Sequence, residues 1–413
     1  MYLCALFCNE MKRKLVLFSA IICCLSVYPQ AGKGIFQTLN IPMDARSIGL
    51  GGMNVSIYDG DLNLAFNNPA LLSKMSHNVL TFNYANFLAA YNVGSVGYSH
   101  AFGKNRENIF GIGVNYFDYG TMLGFDEYDN PTSNFTAKDI NLNLMYARTL
   151  PKGFTVGGIL KPIYSAYERY SSSGMALDLG AHYHNDSLGL SVGLTLKNVG
   201  VQFDPYDKVR EKLAPNLLFG FSAKFKHAPI RLSLTLHNLQ KWDLGYELAS
   251  SDYEDNENKK IKWYNMLFRH MIISAEVMPT KNFFLSAAYN GRRGLEMKIK
   301  DVRTIAGFSF GAGLKISMFR VGFSLSQFQK GIMTYHVTLS TNLSEFGNNE
   351  RTSKEPKELT EKQLQKQQEK LEKEQEKQRI EEEKQAQKEL KKQQKEEEKQ
   401  KKEQEKEEKF FNE

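Results

Sequence analysis

The residues best suited to bind a metal ion are His182 and His184, which lie two positions apart. Successive side chains of a strand alternate between its faces, so this spacing places both imidazoles on one face of a strand. Zinc sites use three or four protein ligands, and no third ligand stands at a recognisable spacing. The sequence therefore predicts no metal site, and we interpret the two histidines as ordinary residues of a strand.

Groups that could act as nucleophiles or hold phosphate lack the neighbours that such chemistry needs. Ser324 and Ser326 stand in no G-x-S-x-G elbow. The glycine clusters at 49–52 and 111–113 lack the Lys-Ser or Lys-Thr of a phosphate loop and the βαβ context of a dinucleotide site. We interpret the first cluster as turns and the second as part of a crowded interior.

Asp59 and Asp61 are the remaining candidates for acid and base chemistry. They flank Gly60, a pattern more typical of a turn than of a catalytic pair. With no catalytic, cofactor-binding or metal-binding residue predicted, we expect a protein that is not an enzyme and carries no cofactor.

The N-terminus has the layout of a secretory signal peptide, which we predict over residues 1–31, with Met11 as an alternative start of translation. A basic trio at 12–14 precedes an apolar run at 15–27 and a small residue, Ala31. This run is shorter than the roughly 20 residues that a membrane-spanning helix requires. All four cysteines lie at or before position 24. The mature chain is therefore expected to have neither disulfides nor thiolate sites.

A period of two in hydrophobicity dominates residues 79–345. In one segment Leu190, Val192 and Leu194 alternate with small or polar residues, among them Ser191 and Thr195. The first set is predicted to face lipid and the second an interior. We count about fourteen such segments, an even number as bacterial outer-membrane barrels require. Short and long connections alternate between them, as expected for such a barrel.

These patterns predict an all-β protein, a transmembrane antiparallel β-barrel in the outer membrane, with membrane lipid as its surroundings. A soluble β-sandwich or solenoid would also alternate. The secretion signal and the abundance of Gly, Ser, Thr and Asn on the polar face favour the barrel.

The connection at 241–267 is the longest and is rich in aromatic residues in a charged context. Aromatic side chains of this kind often anchor protein interfaces, although they can also pack on their own barrel. We predict partner binding by five of them: Trp242, Tyr246, Tyr253, Trp263 and Tyr264.

The segments before and after the barrel differ from it in composition. Residues 32–78 are too rich in Gly and Asn for a regular strand, and we predict a plug in the lumen, with a periplasmic lead-in as the alternative. Residues 346–413 are mostly Glu, Lys and Gln. They are predicted to form a periplasmic tail, either a solvated helix or a disordered chain. Their near-neutral charge gives no support for nucleic-acid binding.

One motif of the plug segment carries a family resemblance. Residues 44–56 read Asp-Ala-Arg-Ser-Ile-Gly-Leu-Gly-Gly-Met-Asn-Val-Ser, and residues 67–73 read Asn-Asn-Pro-Ala-Leu-Leu-Ser. This pattern resembles the N-terminal signature of the PorV and PorQ family of the Bacteroidota type IX secretion system, and is more similar to its PorQ side. The likeness extends over residues 34 to about 345. Its plug motif maps here onto Arg46, Gly49, Gly51, Gly52, Asp59, Asp61, Asn68 and Pro69.

The resemblance implies a fold and a function. The fold would be a fourteen-strand, FadL-like barrel with an N-terminal plug. The function would be to hold a PorZ-like protein at the cell surface, in an attachment complex with PorU-like and PorV-like proteins that processes secreted cargo. FadL-like transporters share the general form of the motif, so a transporter of hydrophobic or small solutes is the alternative. A scaffold anchor acting through the tail is a third class.

Overall fold

The computed structural model describes residues 34–87, 91–244, 262–297, 305–329 and 332–346, together with positions 376 and 379. The predicted signal peptide and nearly all of the predicted tail lie outside these residues. Three positions of the predicted tail are described: Phe346, which follows the barrel, and Glu376 and Arg379, which are helical. No helix among the described residues is long and apolar enough to cross a membrane.

Fourteen antiparallel strands form one closed barrel, which confirms the predicted fold class. Their bounds are β1 Val79–Phe87, β2 Tyr91–Phe102, β3 Asn108–Met122, β4 Phe135–Thr149, β5 Phe154–Tyr167, β6 Tyr170–Asn185, β7 Leu190–Asp204, β8 Asn216–Lys224, β9 Ile230–Leu236, β10 Met271–Thr280, β11 Phe283–Asn290, β12 Phe308–Ile316, β13 Phe319–Gln329 and β14 Ile332–Asn342. Each strand pairs with its neighbours in sequence, and β1 pairs with β14 from Val79↔Asn342 to Asn86↔Tyr335. The ring is thereby closed without a free edge.

The two faces of the strands divide as predicted. Leu194 exposes 47% of its side chain on the outer surface, whereas Thr195 is fully buried in the interior. Apolar side chains recur on the outer face of every strand, so the barrel presents an apolar outer surface of the kind that membrane-spanning barrels require.

Between residues 34 and 346, four short α-helices with described bounds lie outside the strands. They are α1 Ala45–Gly49, α2 Leu62–Ala65, α3 Trp263–Arg269 and α4 Gly291–Glu296. The first two belong to the segment before β1. The other two belong to long connections, which gather at one end of the barrel, here called the long-loop end. The opposite end of the barrel carries the short turns and is here called the short-turn end. The start of β1 and the end of β14 both lie there.

The boundaries of β7 differ from those predicted. The sequence pattern ends at Asn198 and predicts a connection at 199–214, but the strand continues to Asp204. Asn198 has a positive φ of 60°, and the register with β6 shifts beside it. Lys197 and Asn198 are consequently both buried. This bulge interrupts the period of two, and the period resumes after it out of phase.

Candidate functional site

Residues 35–76 occupy the lumen, because they contact the inner face of strands all around the ring. Their backbone is ordered by side-chain caps rather than by long helices. Asp44 accepts a hydrogen bond from the Ser47 amide at 2.7 Å and so caps α1. Asn68 accepts one from the Ala70 amide at 3.0 Å, beside Pro69. These contacts explain why the segment is rich in Asn, Asp and Ser, and we call it the plug.

Wall glycines make room for the plug backbone. A Cβ atom added to Gly193 would overlap the carbonyl oxygen of Val55, and one added to Gly180 would overlap the Asn68 side chain. The predicted motif glycines make similar contacts from the plug side. A Cβ on Gly49 would lie 3.0 Å from the Cα of Gly311. The fit between plug and wall is therefore specified at the level of backbone atoms.

Gly51 and Gly52 form the turn that follows α1. Their φ angles are 92° and 103°, in the left-handed region that only glycine adopts without strain. The Gly51 carbonyl accepts a hydrogen bond from Asn290 at 3.1 Å, which ties this turn to the long-loop end of β11.

A network of five charged side chains joins the plug to β9 and β10. Arg46 contacts Asp59 at 2.5 Å, Asp61 at 3.0 Å and Glu276 at 3.2 Å. Arg231 contacts both Asp59 and Glu276 at 2.9 Å. Three of the predicted motif residues thus come together, and two wall residues that sequence reasoning missed complete the network.

Burial and charge act in opposite directions on Asp59. Burial alone would raise its pKa, but Arg46 and Arg231 together outweigh that effect and hold the pKa well below its usual value. The carboxylate therefore stays ionised, and its ion pairs persist at any physiological pH.

The opposite side of the plug is apolar. Leu62, Ala65 and Leu72 pack against inward-facing residues at the short-turn ends of β1 to β5, among them Ile109 and Met145. All five are almost fully buried.

A second apolar cluster lies in the lumen at the long-loop end, here called the upper cluster. It is formed by Met43, Ala85, Phe87, Val93 and Phe117, with Ile41, Tyr91, Tyr119 and Phe328 packed against it. The Phe87 and Phe328 rings meet edge to face with centroids 4.6 Å apart. The sequence analysis missed this cluster because it assigned small or polar residues to the interior, whereas Ala85, Phe87 and Val93 are apolar and face inward at this end of β1 and β2.

His182 and His184 face the lumen and contact the plug. Tyr58 of the plug lies 5.0 Å from the His182 ring and 5.1 Å from the His184 ring, measured between centroids. His182 Nε2 is 3.1 Å from the carbonyl oxygen of Ser56. Within the described ranges, no three His, Cys, Asp or Glu side chains are grouped so as to hold a metal ion.

The five aromatic residues predicted to bind a partner do not share one environment in the structure. Trp242 stacks on His270 at 5.3 Å, and its carbonyl oxygen contacts the same imidazole at 3.0 Å. Trp263 and Tyr264 begin α3 and expose 69% and 49% of their side chains. Tyr246 and Tyr253 lie outside the described residues.

No protein-family model matches the chain, and no curated protein does. Among solved structures, a mutant of the monoaromatic hydrocarbon channel TodX aligns at 12% identity and a TM-score of 0.44, covering 73% of this chain and 97% of that one. A FadL homologue from Pseudomonas aeruginosa aligns at 10% identity and a TM-score of 0.41, covering 73% and 98%. The porin KdgM aligns at 8% identity and a TM-score of 0.30, covering 64% and 98%. At these values the similarity carries no argument about function.

Proposed function

We propose that the chain is a plugged outer-membrane barrel that admits a small hydrophobic solute from the cell exterior. The long-loop end would face outward and the short-turn end the periplasm, as in other bacterial barrels. The apolar outer surface supports a place in lipid.

The upper cluster is the observation that carries the proposal. A barrel lumen that only filled with water would gain nothing from apolar walls, yet Phe87, Val93 and Phe117 turn inward and cluster with Met43 of the plug. Apolar pockets with a few polar groups at the edge are typical of sites for small hydrophobic ligands. Here the polar edge is Tyr119, whose hydroxyl donates to Asp139 at 2.8 Å.

Uptake of a hydrophobic probe tests this proposal. Cells that produce the protein should take up radiolabelled toluene faster than cells with an empty vector. Val93→Asn should abolish the gain, because it places an amide in the upper cluster. Leu218→Asn is the matched control, because Leu218 is also buried on the inner face but lies outside the cluster. Equal uptake with and without the protein would refute solute transport.

A surface-attachment role is the second candidate, as the family resemblance implies. It is favoured by the exposed Trp263 and Tyr264 at the long-loop end. In this role the barrel would hold a PorZ-like partner, together with PorU-like and PorV-like proteins. Affinity purification from the outer-membrane fraction should then recover these proteins with the wild type and lose the PorZ-like one with Trp263→Ala. Leu188→Ala, at an exposed turn of the other end, should leave recovery unchanged.

A further inference from the structure

Two lysines are buried in the lumen with a single carboxylate between them. Lys161 and Lys197 expose only 3% and 4% of their surface. The Lys161 ammonium contacts Asp178 at 2.5 Å and donates to Asn198 Oδ1 at 3.2 Å. The Lys197 ammonium donates to Asn67 Oδ1 of the plug at 3.3 Å, and no carboxylate of the described residues forms an ion pair with it. Among the described residues, Lys197 thus has an amide oxygen and no carboxylate as its partner.

A polar cavity adjoins both ammonium groups. It lies between plug residues 39–44 and the inner faces of β1 to β5 and β7. Most of its polar side chains are amides, and those that matter here are Asn40, Asn67, Asn83, Asn143, Lys161 and Lys197. The centre of a water molecule can occupy about 30 Å³ of this cavity. A single water needs on the order of 10–15 Å³ of such space, so two or three waters or one small ion would fit.

Asp44 also lines this cavity but does not neutralise Lys197. Its carboxylate is engaged by the Ser47 amide at the start of α1, and it forms no ion pair with either lysine within the described part of the chain. A buried ammonium without a counter-ion is strongly unfavourable, because its hydration is lost without replacement.

We infer that the cavity binds a small monovalent anion, chloride or a small carboxylate, against the Lys197 ammonium. One negative charge balances the one unpaired positive charge, and the cavity is too small for a large organic ion. The bound anion contacts both the wall and the plug segment 39–44, so it fixes the plug in its seat. This inference is independent of the proposed transport function.

Chloride binding to the purified full-length protein tests the inference. The protein would be prepared in detergent micelles with gluconate, which is too large for the cavity, as the only added anion. Titration with chloride should give saturable broadening of the chlorine-35 resonance, and acetate should reverse it. Folding of each variant is checked by heat-modifiable mobility on gels.

Two variants and one control make the result specific. Lys197→Met should lose the saturable broadening. Asn67→Asp should lose it as well, because the new carboxylate lies beside Lys197 and serves as an internal counter-ion. Lys315→Met should retain it, since that lysine is paired with Glu345 at 3.2 Å away from the cavity. The inference is overturned if wild-type protein shows no saturable binding, or if folded Lys197→Met binds chloride as the wild type does.

Discussion

The side of the plug that faces the short-turn ends of β1 to β5 is packed by apolar side chains, whereas the side that faces β9 and β10 is held by ion pairs. Leu62 and Leu72 are buried among aliphatic residues on the first side. Arg46 and Glu276 meet on the second. Apolar packing tolerates small displacements, but a buried charge without its partner is costly. The apolar side therefore stabilises the contact between plug and wall, and the charged side fixes the position of the plug.

The largest effect is expected on the charged side. Arg46→Met should destabilise the seated plug by roughly 3–5 kcal/mol, because Glu276 and Asp59 lose a buried partner. Urea unfolding followed by tryptophan fluorescence gives the free energy, and planar bilayers should show conductance steps as the plug leaves its seat. Arg320→Met, at an exposed position, should match the wild type in both measurements. If Arg46→Met showed no conductance steps and the same free energy of unfolding as the wild type, the ion pairs would not hold the plug.

Truncation on the apolar side should have a somewhat smaller effect. Leu72→Ala should cost roughly 2–5 kcal/mol in the same urea experiment, the range for truncation of a buried leucine. The loss should not vary with salt concentration, since no charge is involved, whereas the loss in Arg46→Met should. Leu188→Ala, at an exposed leucine, is the matched control. Salt dependence in Leu72→Ala would contradict the division between the two sides.

A smaller effect is expected where the plug meets the wall through backbone atoms alone. Gly193→Ala should destabilise the barrel by roughly 1–3 kcal/mol, because the added methyl group displaces the Val55 carbonyl. Gly158→Ala is the control, since its added Cβ would approach nothing closer than 3.5 Å. Equal unfolding curves for the two variants would mean that the plug shifts without cost.

The last expected effect concerns Asp44, and it appears only as a dependence of stability on pH. Burial, with help from Asp61, raises its pKa from 3.8 to about 6. Between these values the folded protein retains a proton that the unfolded chain has lost, so stability falls as pH rises. Asp44→Asn keeps the cap and should remove this slope from thermal unfolding measured between pH 4 and 6. An unchanged slope would assign the dependence to another group.

The sequence predicted the barrel and its faces because alternation is a local property. The predicted end of β7 at Asn198 was wrong, because a bulge there places two successive residues inward and breaks the period of two. The motif identified Arg46, Asp59 and Asp61 as residues of the candidate site. The sequence did not predict that they form ion pairs. Arg231 is the one charge on the small, polar inner face of β9, and Glu276 shares the inner face of β10 with Ile272 and Ser274. Only the closed ring brings the two charges to the plug.

The pairing of Val79 with Asn342 has a consequence for the order of assembly. This seam joins the first strand to the last, so it is the strand pairing most distant in sequence, and we expect it to form late. The plug precedes β1 and fills the space that the seam encloses. We therefore expect the N-terminal segment to lie against the strands while the sheet is still open, so that the sheet closes around it.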